Sequence, residues 1–257
     1  MSVSPELQAA LDAAAAAAEI ARALYRRNLA VRLKADKSPV TEADLRCELA
    51  IRDILSARFP EYGFYGEETG ASGAGADSLW LVDPIDGTKA FIREYPMFST
   101  QIALMRRGEI VLGVSSAPVY GEIAHAERGG GAWLNGARIT VSDVDTIEAA
   151  ALSAGNLKTL ASGDAWTAYG GLVARVGRTR GYGDFLHYHL LASGKIDVVV
   201  ESDVNVLDVA AAVAIVTEAG GRFTDLDGRP ITLASTSVLA SNGRLHEAVL
   251  AALAQRG

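Results

Sequence analysis

Two closely packed α/β subdomains, divided near residue 140, are what this sequence predicts. Three observations carry the prediction. Two helical stretches, one rich in alanine and one amphipathic, precede any strand. From Trp80 to about 140, short apolar runs separated by glycine turns read as a largely antiparallel meander. After about residue 145, strand-like and helical segments alternate. The division gives residues 1–140 as an N-terminal α+β subdomain and 141–257 as a C-terminal α/β subdomain.

Each element has a local reason. Ser4-Pro5-Glu6 reads as an N-cap, a first-turn proline and a first-turn acid, so a helix is expected over roughly 5–28. Glu6, Asp12, Glu19 and Arg22 interrupt its apolar residues, so neither a signal peptide nor a membrane helix is expected. A second helix starts at Thr41 and ends near Arg58, before Phe59-Pro60; Leu45, Leu49, Ile51, Ile54, Leu55 and Phe59 form one broad apolar face. Gly70–Ala76 reads as a surface loop. Trp80–Val82 is a strand ending on Asp83, followed by strands at Thr100–Met105, Ile110–Ser116 and Ile123–Arg128 and a turn at Asn135-Gly136. Strands are then expected at Ala149–Ala154, Ile196–Val200, 222–224 and 237–241. Helices are expected at Ala165–Val176, Phe185–Ser193, Leu207–Ala219 (closed by Gly220-Gly221) and Leu245–Ala254.

Composition narrows the function. A formal net charge of −7 argues against broad binding to nucleic acid or anionic membranes, so an anionic substrate would need a local cation. The single cysteine, Cys47, excludes an intrachain disulfide and a cysteine zinc site, and fits a cytoplasmic location.

The segment Trp80–Phe91 (WLVDPIDGTKAF) carries the chemistry. An apolar strand delivers Asp83 to its carboxyl end, Pro84 keeps Asp83 out of the helical region, and Asp86 follows three residues on. Gly87-Thr88 can open a helix whose free amides face an anion, and the Ile85 carbonyl is a further oxygen ligand. Two carboxylates about 4 Å apart repel by roughly 4 kcal/mol at an effective dielectric near 20, so the pair needs a cation or raised pKa values. Hard cations such as Mg²⁺ take carboxylate, carbonyl and water oxygens. Asp-Pro and Asp-Gly are also common turn pairs, so Asp83 and Asp86 read either as ligands or as caps of a turn. Glu67 in Gly66-Glu67-Glu68 reads either as a ligand or as a solvated acid. Asp208 reads as a ligand or as a partner of a helix dipole. Asp44 reads as the end of a capping box begun by Thr41, or as a group that holds a threonine hydroxyl or a water for attack.

Taken together, GEE at 66–68, DPIDGT at 83–88 and LDVAAAVAIVTEAGG at 207–221 resemble the inositol monophosphatase family. The resemblance runs from Val40 to Gly221. It implies a layered α-β-α-β-α sandwich, a homodimer, and two or three Mg²⁺ ions serving hydrolysis of a small phosphate monoester. It also implies that Glu67, Asp83 and the Ile85 carbonyl hold one ion and that Asp83, Asp86 and Asp208 hold a second, with Glu67 sharing a weaker third through water. Asp44 and Thr88 would orient the attacking water, the amides of Gly87 and Thr88 would hold the phosphate, and Glu201 would contact the alcohol. Leu207 departs from the family pattern, which has tryptophan before the last aspartate. No ligand is missing.

Competing chemistries fit worse. Cys47 and Arg52 lack the Cys-x5-Arg spacing of cysteine phosphatases. Asp83-x-x-Asp86-x-Thr88 is not the Asp-x-Asp-x-Thr of aspartyl-phosphate enzymes, and GxxxxGK[ST] is absent. His187 and His189, two apart on a helix, read as ordinary helix residues. Within the family the chain looks most like the histidinol-phosphate phosphatase branch. Lys37–Asp44 (KSPVTEAD), DPIDGTKAFIREYP at 83–96 and Arg180–Asp184 carry that likeness. Asp184, Glu201 and Asp203 together suit the cationic amine of histidinol phosphate. Inositol phosphate, a nucleotide bisphosphate and a non-catalytic regulator are the alternatives.

Overall fold

Two β-sheets alternate with three layers of helix in the structure, a computed structural model that describes residues 3–27, 29–34, 39–73, 75–163 and 165–254. The helices are α1 (Pro5–Leu24), α2 (Glu42–Arg58), α3 (Thr88–Ile92), α4 (Lys158–Ser162), α5 (Ala165–Arg175), α6 (Asp184–Ala192), α7 (Val206–Glu218) and α8 (His246–Leu253). A two-stranded ribbon joins β1 (Arg32–Leu33) to β2 (Pro39–Val40). Eight strands form the larger sheet: β3 (Gly63–Gly66), β4 (Gly70–Ser72), β5 (Ser78–Asp86), β6 (Ser99–Arg106), β7 (Glu109–Ala117), β8 (Glu122–Glu127), β9 (Gly131–Leu134) and β10 (Ala137–Ile139). Their order is β10-β9-β8-β7-β6-β5-β3-β4, antiparallel except for β3 beside β5. The smaller sheet has the order β12-β11-β13-β15-β14, built from β11 (Ala151–Ala154), β12 (Arg178–Arg180), β13 (Val198–Ser202), β14 (Arg222–Thr224) and β15 (Ser237–Ser241).

Strand alternation sets the layers. On β5 and β6, Trp80, Val82, Ile102 and Leu104 face α1 and α2, while Leu81, Ala103 and Met105 face α7. In the smaller sheet, Val199 and Ala240 face α6 and α7, and Val198, Val200 and Leu239 face α5 and α8. Helices α6 and α7 therefore fill the space between the sheets, giving the α-β-α-β-α sandwich. The α7 backbone approaches β7 so closely that a Cβ on Gly113 would lie 2.3 Å from the Ala211 carbonyl oxygen.

Three local expectations need correction. Leu45 and Leu49, expected on the apolar face of the second helix, are exposed, and the face that packs inward carries Ala43, Cys47, Ile51 and Leu55. The first helix ends at Leu24, short of residue 28: Tyr25 turns extended (φ −60°, ψ 132°) and packs its ring 5.6 Å from Phe91 and 5.2 Å from Phe98. Gly70–Ser72 is no loop but an edge strand on β3. Three residues are too few to show a period-two pattern. Lys37 and Ser38 lie outside the described residues.

Candidate active site

The site starts at the end of β5. The register of β5 on β6 shifts between Asp83 and Asp86, and the Pro84 carbonyl in that bulge accepts from Thr100 Oγ1 at 2.9 Å. Asp83 Oδ1 accepts from the Ile85 amide at 2.9 Å, and Asp86 Oδ2 accepts from Ser99 Oγ at 3.1 Å. Gly87 then takes φ 87°, with no room for a Cβ, which would sit 2.5 Å from the Met97 carbonyl oxygen. Asp208 arrives from α7, where it closes a capping box with Asn205 and accepts from the Asn205 amide at 2.9 Å. Its helix-end role and its place in the site are thus both real.

Oxygens of Asp83, Asp86 and Asp208 lie within 4.8 Å of one another. Burial, followed by the charges of Glu67, Asp208 and Asp86, holds Asp83 well above the usual carboxylate range. Burial and then the charges of Asp184 and Asp208 do the same to Asp86. Asp208 is pushed up to about 7, first by burial. Two buried carboxylates and one half-buried in mutual repulsion, with no lysine or arginine paired to them among the described residues, fit a hard divalent cation.

Glu67 stands beside this cluster rather than within the group of three. Its Oε1 takes a 2.8 Å bond from Lys34 Nζ, which also lies 2.7 Å from Glu68. The turn carrying both glutamates is held by Glu48 of α2, fully buried, whose two oxygens accept from the Glu68 and Thr69 amides at 2.8 Å each. Asp44, one turn earlier on α2, serves two partners. Its Oδ2 accepts from the Thr41 amide (2.8 Å) and Oγ1 (2.6 Å), and its Oδ1 lies 3.1 Å from Thr88 Oγ1. Thr88 Oγ1 is also 3.1 Å from the Ile85 carbonyl. Burial raises the Asp44 carboxyl although these hydrogen bonds oppose it.

The cluster lies in a cleft of about 740 Å³ that Asp184, Glu201 and Asp203 also line. Glu201 is already engaged. Its Oε2 meets His187 Nε2 at 3.0 Å and Tyr188 Oη at 2.5 Å, and its Oε1 accepts from the Asn156 amide at 3.2 Å. Burial pushes Glu201 up, but His187, Tyr188 and Asn156 outweigh it and hold the group below its ordinary range. Asp203 is bound to Thr159 through the Thr159 amide (2.9 Å) and hydroxyl. Asp184 alone of the three makes no side-chain hydrogen bond among the described residues. Sequence reasoning missed Lys34, Glu48 and the pairing of His187 with Glu201. For Glu48 a signal existed: an acid sits among Ala43, Cys47, Ile51 and Leu55 on the buried face of α2.

The inositol monophosphatase family model matches residues 2–257. The histidinol-phosphatase of Mycobacterium tuberculosis is 40% identical over 254 residues, covering 96% of this chain and 97% of that one. The inositol-1-monophosphatase of Mesorhizobium japonicum is 36% identical over 233 residues, covering 88% and 87%. Among solved structures, the extragenic suppressor protein SuhB of Bartonella henselae superposes with a TM-score of 0.90 at 31% identity, covering 98% and 99%.

Proposed function

The chain belongs to the inositol monophosphatase family, and from that premise we propose that it hydrolyses histidinol phosphate to histidinol and phosphate with Mg²⁺. One observation carries the reading: a single cleft is lined both by a cation-seeking carboxylate cluster and by three further acids, Asp184, Glu201 and Asp203. A phosphate bridged by cations suits the first, and a cationic amino alcohol suits the second. Likeness to proteins named histidinol-phosphatase supports the same choice.

Glu67, Asp83, Asp86, Asp208 and the Ile85 carbonyl are the proposed ligands of two or three Mg²⁺ ions. When bound, such ions supply Lewis acidity that makes water nucleophilic at neutral pH and offsets charge on the phosphoryl oxygens. The protein does the rest by placement. Thr41 fixes Asp44 from one side, so its Oδ1 faces Thr88. Thr88 donates its one proton to Asp44 and keeps its lone pairs for a proton of the attacking water, which aims that water along the line of displacement. The amides of Gly87 and Thr88, at the open N-terminal end of α3, take phosphate oxygens. Asp184 takes the substrate's ammonium group, and Glu201, held on three sides, lines the alcohol subsite.

Inositol 1-phosphate is the second reading, favoured by the 36% identical relative of that name. Phosphate release from histidinol phosphate, inositol 1-phosphate and adenosine 3′,5′-bisphosphate, each with Mg²⁺ and with EDTA, tests the proposal. The expected result is Mg²⁺-dependent release, fastest by kcat/KM on histidinol phosphate. Preference for inositol 1-phosphate overturns the substrate, and no release from any of the three favours a non-catalytic role. The proposal includes a homodimer, to be read by sedimentation velocity as a species near twice the chain mass of 26.9 kDa.

A further inference from the structure

From Asp86 a line of buried side chains crosses the sandwich. Ser99 Oγ lies 3.1 Å from Asp86 Oδ2, and Gln101 Nε2 lies 2.7 Å from Ser99 Oγ and 3.1 Å from Ser115 Oγ. Ser115 Oγ is 2.8 Å from His189 Nε2, and His189 Nδ1 is 2.8 Å from Glu122 Oε2. Ser99, Gln101, Ser115 and His189 are each exposed by 2% or less. The line therefore passes from β5 through β6 and β7 to α6, and ends on β8.

Proton counting gives it a direction. A carboxylate that holds a cation is ionised and only accepts, so with the cation bound the Ser99 proton is committed to Asp86. Ser99 Oγ must then accept from Gln101, whose second N–H goes to Ser115 Oγ. The Ser115 proton is left for His189 Nε2, so the imidazole proton sits on Nδ1 and points at Glu122. Burial holds His189 below the ordinary histidine range, as a neutral ring in this tautomer requires. One atom is sacrificed: Gln101 Oε1 is buried with no partner. Turning the amide over would set its oxygen 2.7 Å from Ser99 Oγ, two acceptors facing one another while Ser99 keeps its bond to Asp86.

We propose that Ser99, Gln101, Ser115 and His189 form a positioning line that pins the Asp86 carboxylate for cation binding, with the Glu122–His189 pair as its anchor. It rests on the reading of Asp86 as a cation ligand. A leucine at 101 would fill the space without an unpaired carbonyl, so the amide is explained by the two serines its nitrogen holds rather than by packing. Groups behind a metal ligand typically govern affinity by 10- to 100-fold when removed.

The test is direct binding of Mn²⁺, followed by electron paramagnetic resonance, to the full chain and to Asp86→Asn, Ser99→Ala, Ser99→Thr, Gln101→Leu and His189→Gln. Gln101→Leu and Ser99→Ala are expected to raise the half-saturating Mn²⁺ concentration about tenfold or more. Ser99→Thr, which keeps the hydroxyl, is expected to restore it. At saturating Mn²⁺, kcat of Gln101→Leu should return to within about twofold of the parent, a recovery that misfolding would not give. Parental binding by both Ser99→Ala and Gln101→Leu overturns the positioning role. Weakened binding by Ser99→Ala alone ends the line at Ser99 and overturns the part given to Gln101 and His189. Parental binding by Asp86→Asn overturns instead the assignment of Asp86 itself.

Discussion

Asp184 holds a left-handed backbone (φ 44°), a conformation that costs a non-glycine residue about 1–3 kcal/mol and persists where surroundings impose it. It opens α6 at the cleft, its carboxyl raised first by burial and then by Glu201, while His187 and Lys89 pull it back down. A cationic partner would relieve that charge. Asp184→Asn keeps the shape and the tolerance for positive φ but removes the charge. It should raise KM for histidinol phosphate about tenfold, in line with losing one charge-assisted hydrogen bond, and leave kcat within a few-fold. KM for inositol 1-phosphate, whose alcohol portion is uncharged, should not move; equal effects on both substrates would remove Asp184 from amine recognition. This residue was legible from its place in an Arg180–Asp184 motif, but its backbone conformation was not. Glu201 shows the opposite. Its position was legible, yet no spacing rule announces that His187 and Tyr188 already occupy one of its oxygens.

At the scale of elements, α2 does more than its apolar stripe suggests. Asp44 and Glu48 lie one turn apart on its buried face, one reaching Thr88 and the other the turn after β3. Glu48→Ala leaves the part-buried hydrogen bonds of the Glu68 and Thr69 amides without acceptors, at up to about 1–3 kcal/mol each. Urea unfolding should show a loss of that order, and Glu48→Gln, which keeps one acceptor, should lose less. Equal stability in Glu48→Ala would mean water serves those amides as well. Helix α8 carries a pH dependence. His246 is fully buried, with Nε2 3.0 Å from Thr224 Oγ1 and Nδ1 3.0 Å from Ser241 Oγ. Burial, then Arg222, pushes it down from 6.5 to about 4 against the opposing Glu247. The unfolded chain therefore binds a proton near pH 6.5 that the folded chain refuses until about 4. Stability from this group is full above pH 6.5 and is lost as pH falls through that window. Asp83, Asp86 and Asp208, raised in the fold, carry the opposite sign, so the informative quantity is a difference. In EDTA, the gap between wild type and His246→Asn should shrink from pH 7.5 to pH 5; a constant gap counts against the assignment. Long elements such as α2 and α7 were legible because burial repeats over several turns. Edge strands β4 and β12, three residues each, hold their place through neighbours that no local pattern encodes.

The whole molecule brings the cluster together from both halves of the chain. Glu67, Asp83 and Asp86 come from the larger sheet, whereas Asp208 rides on α7, which is clamped between the sheets. Without a cation, folding forces these acids into mutual repulsion, and a cation held by the proposed ligands would tie α7 to the end of β5. Mg²⁺ that binds only the folded chain stabilises it by RT ln(1 + [Mg²⁺]/Kd), about 2.7 kcal/mol at 100 times Kd. For a chain of this size, that corresponds to a rise in the unfolding midpoint of roughly 5–10 °C. The effect should depend on Asp208. Its carboxyl, raised from 3.8 to about 7 by burial and the acids around it, removes stability from the metal-free fold as pH rises through that interval. Asn at 208 can still accept from the Asn205 amide, so the helix keeps its cap. In EDTA at pH 7.5, Asp208→Asn should melt above wild type; in Mg²⁺ the order should reverse, because only wild type gains. Scanning calorimetry of both proteins under both conditions measures this crossing. A wild type whose midpoint ignores Mg²⁺, or an Asp208→Asn protein that gains as much, would show that the acids from the two halves do not share a cation.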